Sequence, residues 1–236
     1  MEKRIKRRSR KASLPPGTLV HIGEERTSAV RISVMDYSEE KFEEREVKTV
    51  EECFPFKDTP TTTWINVDGI HQLDIIEKIG QHFGVHPLVL EDIANTEQRS
   101  KAEDFEAYLF IVLKMLDYNT KDGTTSVEQL SLILGPNFVV SFQEKPGDIF
   151  GPVRERIRKG GTRIRKGGAD YLAYALIDTV VDNYFVILEK IGERVETIED
   201  KLVSNPVPET LQNIYDMKQD IIALRKSVWP LREILG

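Results

Sequence analysis

Three acids in this 236-residue chain stand in apolar company. Glu91 and Asp92 follow Pro87 and are flanked by Leu88, Val89, Leu90 and Ile93. Asp178 lies among Leu176, Ile177, Val180 and Val181, and Asp182 follows one helical turn later on the same face. A carboxylate beside apolar neighbours is costly unless it meets a cation or a hydrogen-bond donor. Carboxylate oxygens are hard ligands, better suited to Mg²⁺, Ca²⁺ or Co²⁺ than to zinc. By spacing alone, solvated helix faces and ordinary capping acids account for them better than metal does. His82 and His86 are also four apart, but Gly84 lies between them and Pro87 follows, so a helix carrying both as zinc ligands is not expected. The chain has no G-x-S-x-G, P-loop, H-E-x-x-H or C-x-x-C, and no enzymatic chemistry is expected of it.

The elements that must hold these acids change character near residue 145. Before it, short β-branched or alternating runs predict strands at 18–22, 29–34, 63–67, 105–116, 127–134 and 138–142. Gly135-Pro136-Asn137 should fold the last two into a hairpin, and Asp122-Gly123 marks another tight turn. Leu73, Ile76, Ile79 and Phe83 have helical spacing over 70–84, and Pro87 opens a short helix, PLVLEDI. This order implies an α/β fold, a mixed β-sheet layered with helices.

After residue 145 nearly everything is helix-periodic. A helix is expected over 149–159. The hexapeptide RIRKGG, at 156–161 and again at 163–168, reads as a mobile basic loop, with phosphate binding as the lesser reading. One long helix follows over 169–203, because Val180, Tyr184, Ile187, Ile191, Val195, Ile198 and Leu202 step by threes and fours. Asn205 and Pro206 should end it, and Pro208 should open a second helix, antiparallel to the first. Its seam, Leu211, Ile214, Met217, Ile221, Leu224, Val228, Leu231 and Leu235, is expected to kink at Pro230 and to continue past Gly236.

Charge and composition set the class. The chain is 40% apolar and 31% charged, as in a globular protein. Residues 1–11 hold seven basic groups against one acid; with −6 for the whole chain, residues 12–236 carry −12. An acidic body does not resemble a nucleic-acid binder, so no nucleic-acid partner is expected, and the basic tail reads as a solvated terminus. No apolar run nears the roughly 20 residues needed to cross a bilayer; the best, Tyr108–Leu116, contains Lys114. With a single cysteine, Cys53, the expectation is a soluble, cytoplasmic chain without a disulfide.

Ordered blocks along nearly the whole chain carry a family resemblance. They are LPPGTLVHIG at 14–23, TTTWINVDGIH at 61–71, HPLVLEDI at 86–93 and EQLSLILG at 128–135, then FQEKPGDIFGPVRERIR at 142–158, ADYLAYALIDTVVDNYF at 169–185 and LRKSVWPLREIL at 224–235. Together they resemble the cytoplasmic domain of the CorA family of magnesium/cobalt transport proteins. The resemblance implies a basic tail over 1–13, an α/β domain over 14–145, a helical hairpin region over 146–205 and the start of a stalk helix over 206–236. It implies a homopentamer, anchored in the cell membrane by helices beyond residue 236, with this part facing the cytoplasm as a cation-sensing regulatory domain. The regulatory metal ligands it implies are Glu91, Asp92 and Asp178, with Asp182 weaker, and the ion is Mg²⁺, with Co²⁺ as the second candidate, both as regulator and as cargo. The readings left beside it are a zinc transporter of the same superfamily and a structural oligomerisation module without metal sensing.

Overall fold

A computed structural model describes residues 15, 17–23, 29–119, 123–204 and 208–232. The basic tail over 1–13, Asp122, the Asn205-Pro206 stop and Leu235 lie outside the described residues.

Seven strands form one sheet in the order β2-β1-β3-β7-β6-β5-β4. They are β1 (Arg31–Tyr37), β2 (Phe42–Val47), β3 (Thr62–Asp68), β4 (Lys101–Phe105), β5 (Tyr108–Asn119), β6 (Thr124–Leu134) and β7 (Phe138–Gln143). Only β3 and β7 pair in parallel, Trp64 opposite Val139 and Asn66 opposite Ser141; every other pair is antiparallel. The sheet is therefore mixed and helix-covered, as expected from the order of elements.

Strand alternation sorts the core onto two faces. On the first, Val34, Ile65, Val67, Phe110, Val112 and Val140 meet a 3-10 helix, Val50–Asp58, and helices α1 (Leu73–Phe83) and α2 (Pro87–Ala94). On the second, Met35, Trp64, Leu113, Leu130, Leu132 and Val139 meet α3 (Gly151–Lys159), α4 (Arg163–Lys166) and α5 (Ala169–Ser204). Helix α6 (Pro208–Val228) runs back against α5, tied by an Arg194–Asp220 ion pair.

Local chemistry explains several boundaries. Helix α1 ends at Gly84, in the left-handed region at φ 73°, and the Val85 amide donates to the Gly80 carbonyl at 2.8 Å. No atom lies within 4 Å of where a Cβ would sit, so a side chain at Gly84 meets only backbone strain. Gly84→Ala is expected to lower the unfolding free energy by about 1 kcal/mol, read from urea denaturation. Helix α2 starts with Pro87 at its first turn and His86 as its cap, His86 Nδ1 accepting from the Leu88 amide at 3.2 Å.

Some expectations are corrected. Residues 18–22 add no strand to the sheet; only Ile22 bridges Asn95 at the end of α2. Strands β2 (FEEREV) and β4 (KAEDF) went unpredicted because they are the two edges, partly in water, where an apolar alternation is not required. The second RIRKGG copy is no free loop. It forms α4, and Arg165, 5% exposed, donates to the carbonyls of Ser38, Glu39, Lys41 and Ile157. The first copy ends α3, burying Ile157 in the core while Arg158 pairs with Glu44 at the surface at 2.6 Å.

Most of the α5 seam is as expected, with Val180, Tyr184, Ile187, Ile191 and Ile198 buried and Val195 partly so, but Leu202, at its far end, is exposed. By length and composition α5 is also the one helix among the described residues that could cross a membrane, contrary to the reading of its sequence. Its apolar stripe packs on the sheet, and Asn183 and Tyr184 donate to the carbonyls of Leu116 and Lys114. The α6 seam is only partly covered: Met217 and Leu224 pack inward, whereas Leu211, Ile221 and Val228 are exposed. Helix α6 stops before a turn at Trp229-Pro230, where the kink was expected.

Candidate functional site

The first half of the candidate site is the last turn of α2. Val89, Leu90, Ile93 and Ala94 of this helix are buried against the first face of the sheet, which turns Glu91 and Asp92 outward, half-buried. Glu91 Oε2 accepts from the Gly17 amide at 2.7 Å, so the segment leading into Ile22 lies against it. Asp92 has both oxygens engaged: Oδ1 accepts from Gln98 Nε2 and Oδ2 from Lys101 Nζ, each at 2.6 Å. Lys101 is shared with Glu103 at 2.8 Å. Burial opposes the Lys101 ammonium, but its hydrogen bonds to Asp92 and Glu103 outweigh that and raise its pKa.

The backbone beneath Asp92 is held from the sheet. Gln129 Nε2 donates to the Asp92 carbonyl at 3.0 Å, while Gln129 Oε1 accepts from Lys114 Nζ at 3.1 Å. Lys114 also donates to the Thr96 carbonyl at 2.9 Å. Burial pushes the Lys114 pKa down to about 8, with Glu144 and Glu97 acting against the shift. Lys114 faces a cleft of about 800 Å³ between residues 96–100 and the C-terminal end of α6. This cleft does not include Glu91, Asp92 or Asp178.

The second half of the site lies on α5. Asp178 is half-buried and lines a smaller cleft, of about 440 Å³, with Arg156, Arg163, Tyr171, Tyr174 and Ala175. The Arg163 guanidinium sits over the Tyr171 ring, 5.2 Å from its centre, and the Tyr174 hydroxyl approaches Asp178 Oδ1 at 3.5 Å. Asp182, one turn on, is exposed.

Glu91 and Asp92 thus share one helix, while Asp178 stands in the layer on the opposite face of the sheet. Among the described residues no group of three or more His, Cys, Asp and Glu side chains is arranged to hold a metal ion. His82 and His86 both serve structure. His82 stacks on Phe54 at 4.0 Å between ring centres, its Nε2 3.0 Å from the Phe54 carbonyl, and His86 caps α2.

Sequence reading missed Lys101 and Gln98 as partners of Asp92, and Arg156 and Arg163 as neighbours of Asp178. The first pair is six and nine residues from Asp92, across a loop with no periodicity to read. The second belongs to the repeat, whose two copies carried no sign of where they fold.

Comparison with known proteins follows the same lines. The family described as CorA-like Mg²⁺ transporter protein matches residues 61–236. The cobalt/magnesium transport protein CorA of Thermotoga maritima is 51% identical over 231 residues, which is 98% of this chain and 66% of that protein. This chain therefore spans just under two thirds of that relative's length. Among solved structures, the soluble domain of CorA from Methanocaldococcus jannaschii aligns with a TM-score of 0.68 at 17% identity, over 90% of this chain and 79% of that one. The cytoplasmic domain of ZntB from Vibrio parahaemolyticus shares the fold more distantly, with a TM-score of 0.61 at 12% identity, over 86% of this chain and 76% of that one. With a family match across three quarters of its length and half its residues identical to a CorA protein, this chain belongs to the CorA family.

Proposed function

We propose that this chain is the cytoplasmic, cation-sensing regulatory part of a CorA-type magnesium/cobalt transporter, with no catalytic step of its own. The observation that carries the reading is the division of Asp92 and Asp178 between opposite faces of one sheet, each partly open to solvent. A single copy does not bring these acids together. Adjacent copies in a ring, a pentamer in this reading, do so by setting the α2 end of one against the α5 face of the next.

The physics is that of linked equilibria. Carboxylates facing each other across an interface repel, and a bound Mg²⁺ offsets that repulsion and bridges the copies. Metal occupancy and subunit packing then shift together, by the same coupling free energy in both directions. As cytoplasmic Mg²⁺ falls, the sites empty, the ring loosens and the conducting state gains population, so the cargo ion regulates its own entry. Glu91 belongs to the same ligand set, and residues 206–236 begin the stalk that carries the change toward the membrane.

In the full-length protein, Mg²⁺ is expected to slow proteolysis of the cytoplasmic domain. Asp92→Ala with Asp178→Ala is expected to raise the Mg²⁺ concentration for half-maximal protection about tenfold, within the usual range of such couplings. A midpoint unmoved by the double substitution overturns the reading. Sedimentation of the same protein with and without Mg²⁺ addresses the oligomerisation module, which predicts association indifferent to metal. The zinc reading has only a likeness of fold to ZntB in its favour, at 12% identity.

A further inference from the structure

Both oxygens of Asp92 already have partners within the chain, and one of those partners is a cation. Lys101 Nζ lies 2.6 Å from Oδ2, and Gln98 Nε2 lies 2.6 Å from Oδ1. The pair is not a loose surface contact: the Lys101 side chain is 26% exposed and that of Asp92 18%. The Lys101 ammonium is further set over the Phe110 ring, 5.6 Å from its centre, and reaches Glu103 Oε1 at 2.8 Å. A lysine in such a setting is charged throughout the physiological pH range.

Mg²⁺ binds oxygen at roughly 2.0–2.1 Å in near-octahedral geometry and gives up its waters reluctantly. The ammonium takes up one lone pair of Oδ2, and the Gln98 amide one of Oδ1. A divalent ion and an ammonium on one carboxylate also repel strongly in this partly buried setting. Metal-bound and lysine-bound Asp92 are therefore alternative states. Displaced, Lys101 keeps an acceptor in Glu103, so leaving Asp92 does not strand its charge.

From this we propose that Lys101 is a tethered competitor for the regulatory cation, occupying Asp92 when Mg²⁺ is absent and setting the concentration at which Mg²⁺ takes over. The proposal rests on the regulatory reading of Asp92 given above. It adds that the empty site is not a bare pair of repelling carboxylates. One of them is already neutralised, which lowers apparent Mg²⁺ affinity to the intrinsic value multiplied by the fraction of time the lysine is away. A high threshold of this kind suits a sensor of an abundant ion.

The test measures the Mg²⁺ midpoint for protease protection in the full-length protein. Lys101→Gln keeps a donor for Asp92 but removes the charge, and is expected to lower the midpoint about tenfold. Lys101→Arg keeps the charge and is expected to stay within about twofold of the parent. Arg99→Gln removes a charge two residues away from Lys101 and is also expected to stay within about twofold; a shift equal to that of Lys101→Gln would reduce the effect to a general field and overturn the competitor. Thermal unfolding without metal checks each fold, and Lys101→Met, with the same expected sign, stands in if the glutamine variant is unstable. A Lys101→Gln midpoint that is unchanged or raised overturns the proposal, and if Asp92→Asn still raises the midpoint, the regulatory reading survives that failure. If Asp92→Asn leaves protection intact, the regulatory reading falls and the competitor falls with it.

Discussion

Trp64→Ala is expected to lower the unfolding free energy by about 3–5 kcal/mol, the range for deleting a large buried aromatic. Trp64 is 1% exposed at the centre of β3, where the parallel pair with β7 joins the two halves of the sheet. Its ring fills the space between sheet and α3, meeting Phe150 edge-on at 5.9 Å and the Arg154 guanidinium at 4.8 Å. Its indole N–H donates to Ser141 Oγ at 2.8 Å, and that hydroxyl donates on to Asn66 Oδ1 at 2.6 Å. Truncation leaves a cavity and removes one link of a buried polar chain, which is costly where water cannot replace it. Urea denaturation measures the loss. A change under about 1 kcal/mol would mean that α3 collapses into the space and that the packing described is not the native one.

Asp148→Ala is expected to cost a similar amount, about 3–5 kcal/mol, because it strands a partly buried guanidinium. Asp148 is 5% exposed on its side chain and grips Arg154 through two parallel contacts of 2.6 Å each. It also accepts from the Phe150 amide at 2.9 Å, fixing the entry to α3, and from Gln143 Nε2 at 3.1 Å. Replacing Arg154 by Met in the same chain is expected to recover part of the loss, since no uncompensated charge then remains. Trp64→Ala and Asp148→Ala share Arg154 as a neighbour, so their effects should not simply add.

The same carboxylate predicts a pH dependence. Burial acts to raise the Asp148 pKa, but hydrogen bonds and charge from Arg154, with Gln143 and the Phe150 amide, outweigh it and hold the folded value below the ordinary one. Its stabilisation is therefore complete above the unfolded pKa, about 3.9, and is lost as pH falls through the lower folded value. Asp68 behaves oppositely. Burial, with the charge of Asp148 adding to it, raises its folded pKa, so ionised Asp68 weakens the fold at neutral pH and protonation relieves that strain. Asp148→Ala should flatten the acid limb of a stability-against-pH curve, and Asp68→Asn, nearly unchanged in size, should raise stability near neutrality.

Legibility of the fold followed the reach of each interaction. The helical hairpin could be read because Val180, Tyr184, Ile187 and Ile191 repeat within a single element, and all four are buried. The β6–β7 turn could be read because Gly135-Pro136-Asn137 specifies itself locally, closed by the Gly135 amide on the Phe138 carbonyl at 2.9 Å. Strands β2 and β4 could not, because edge strands rich in Glu, Arg, Lys and Asp look like loops until a neighbour supplies the ladder. The two RIRKGG copies show the limit most plainly. Identical in sequence, they place Arg158 in a surface pair with Glu44 and Arg165 in a cage of four carbonyls, three of them from the β1–β2 turn.

For the candidate site, the amino-acid order by itself determined that Glu91 and Asp92 sit on one short helix after Pro87 and that Asp178 sits on a long one, because proline chemistry and helical period act over a few residues. It also carried the family, through blocks spread along the chain. Tertiary structure alone decided that α2 and α5 cover opposite faces of the sheet, that Lys101 closes on Asp92, and that Arg156 and Arg163 border Asp178. These meetings depend on how strands register and how helices dock, and those are set by the burial of the whole core rather than by the neighbours of any one residue.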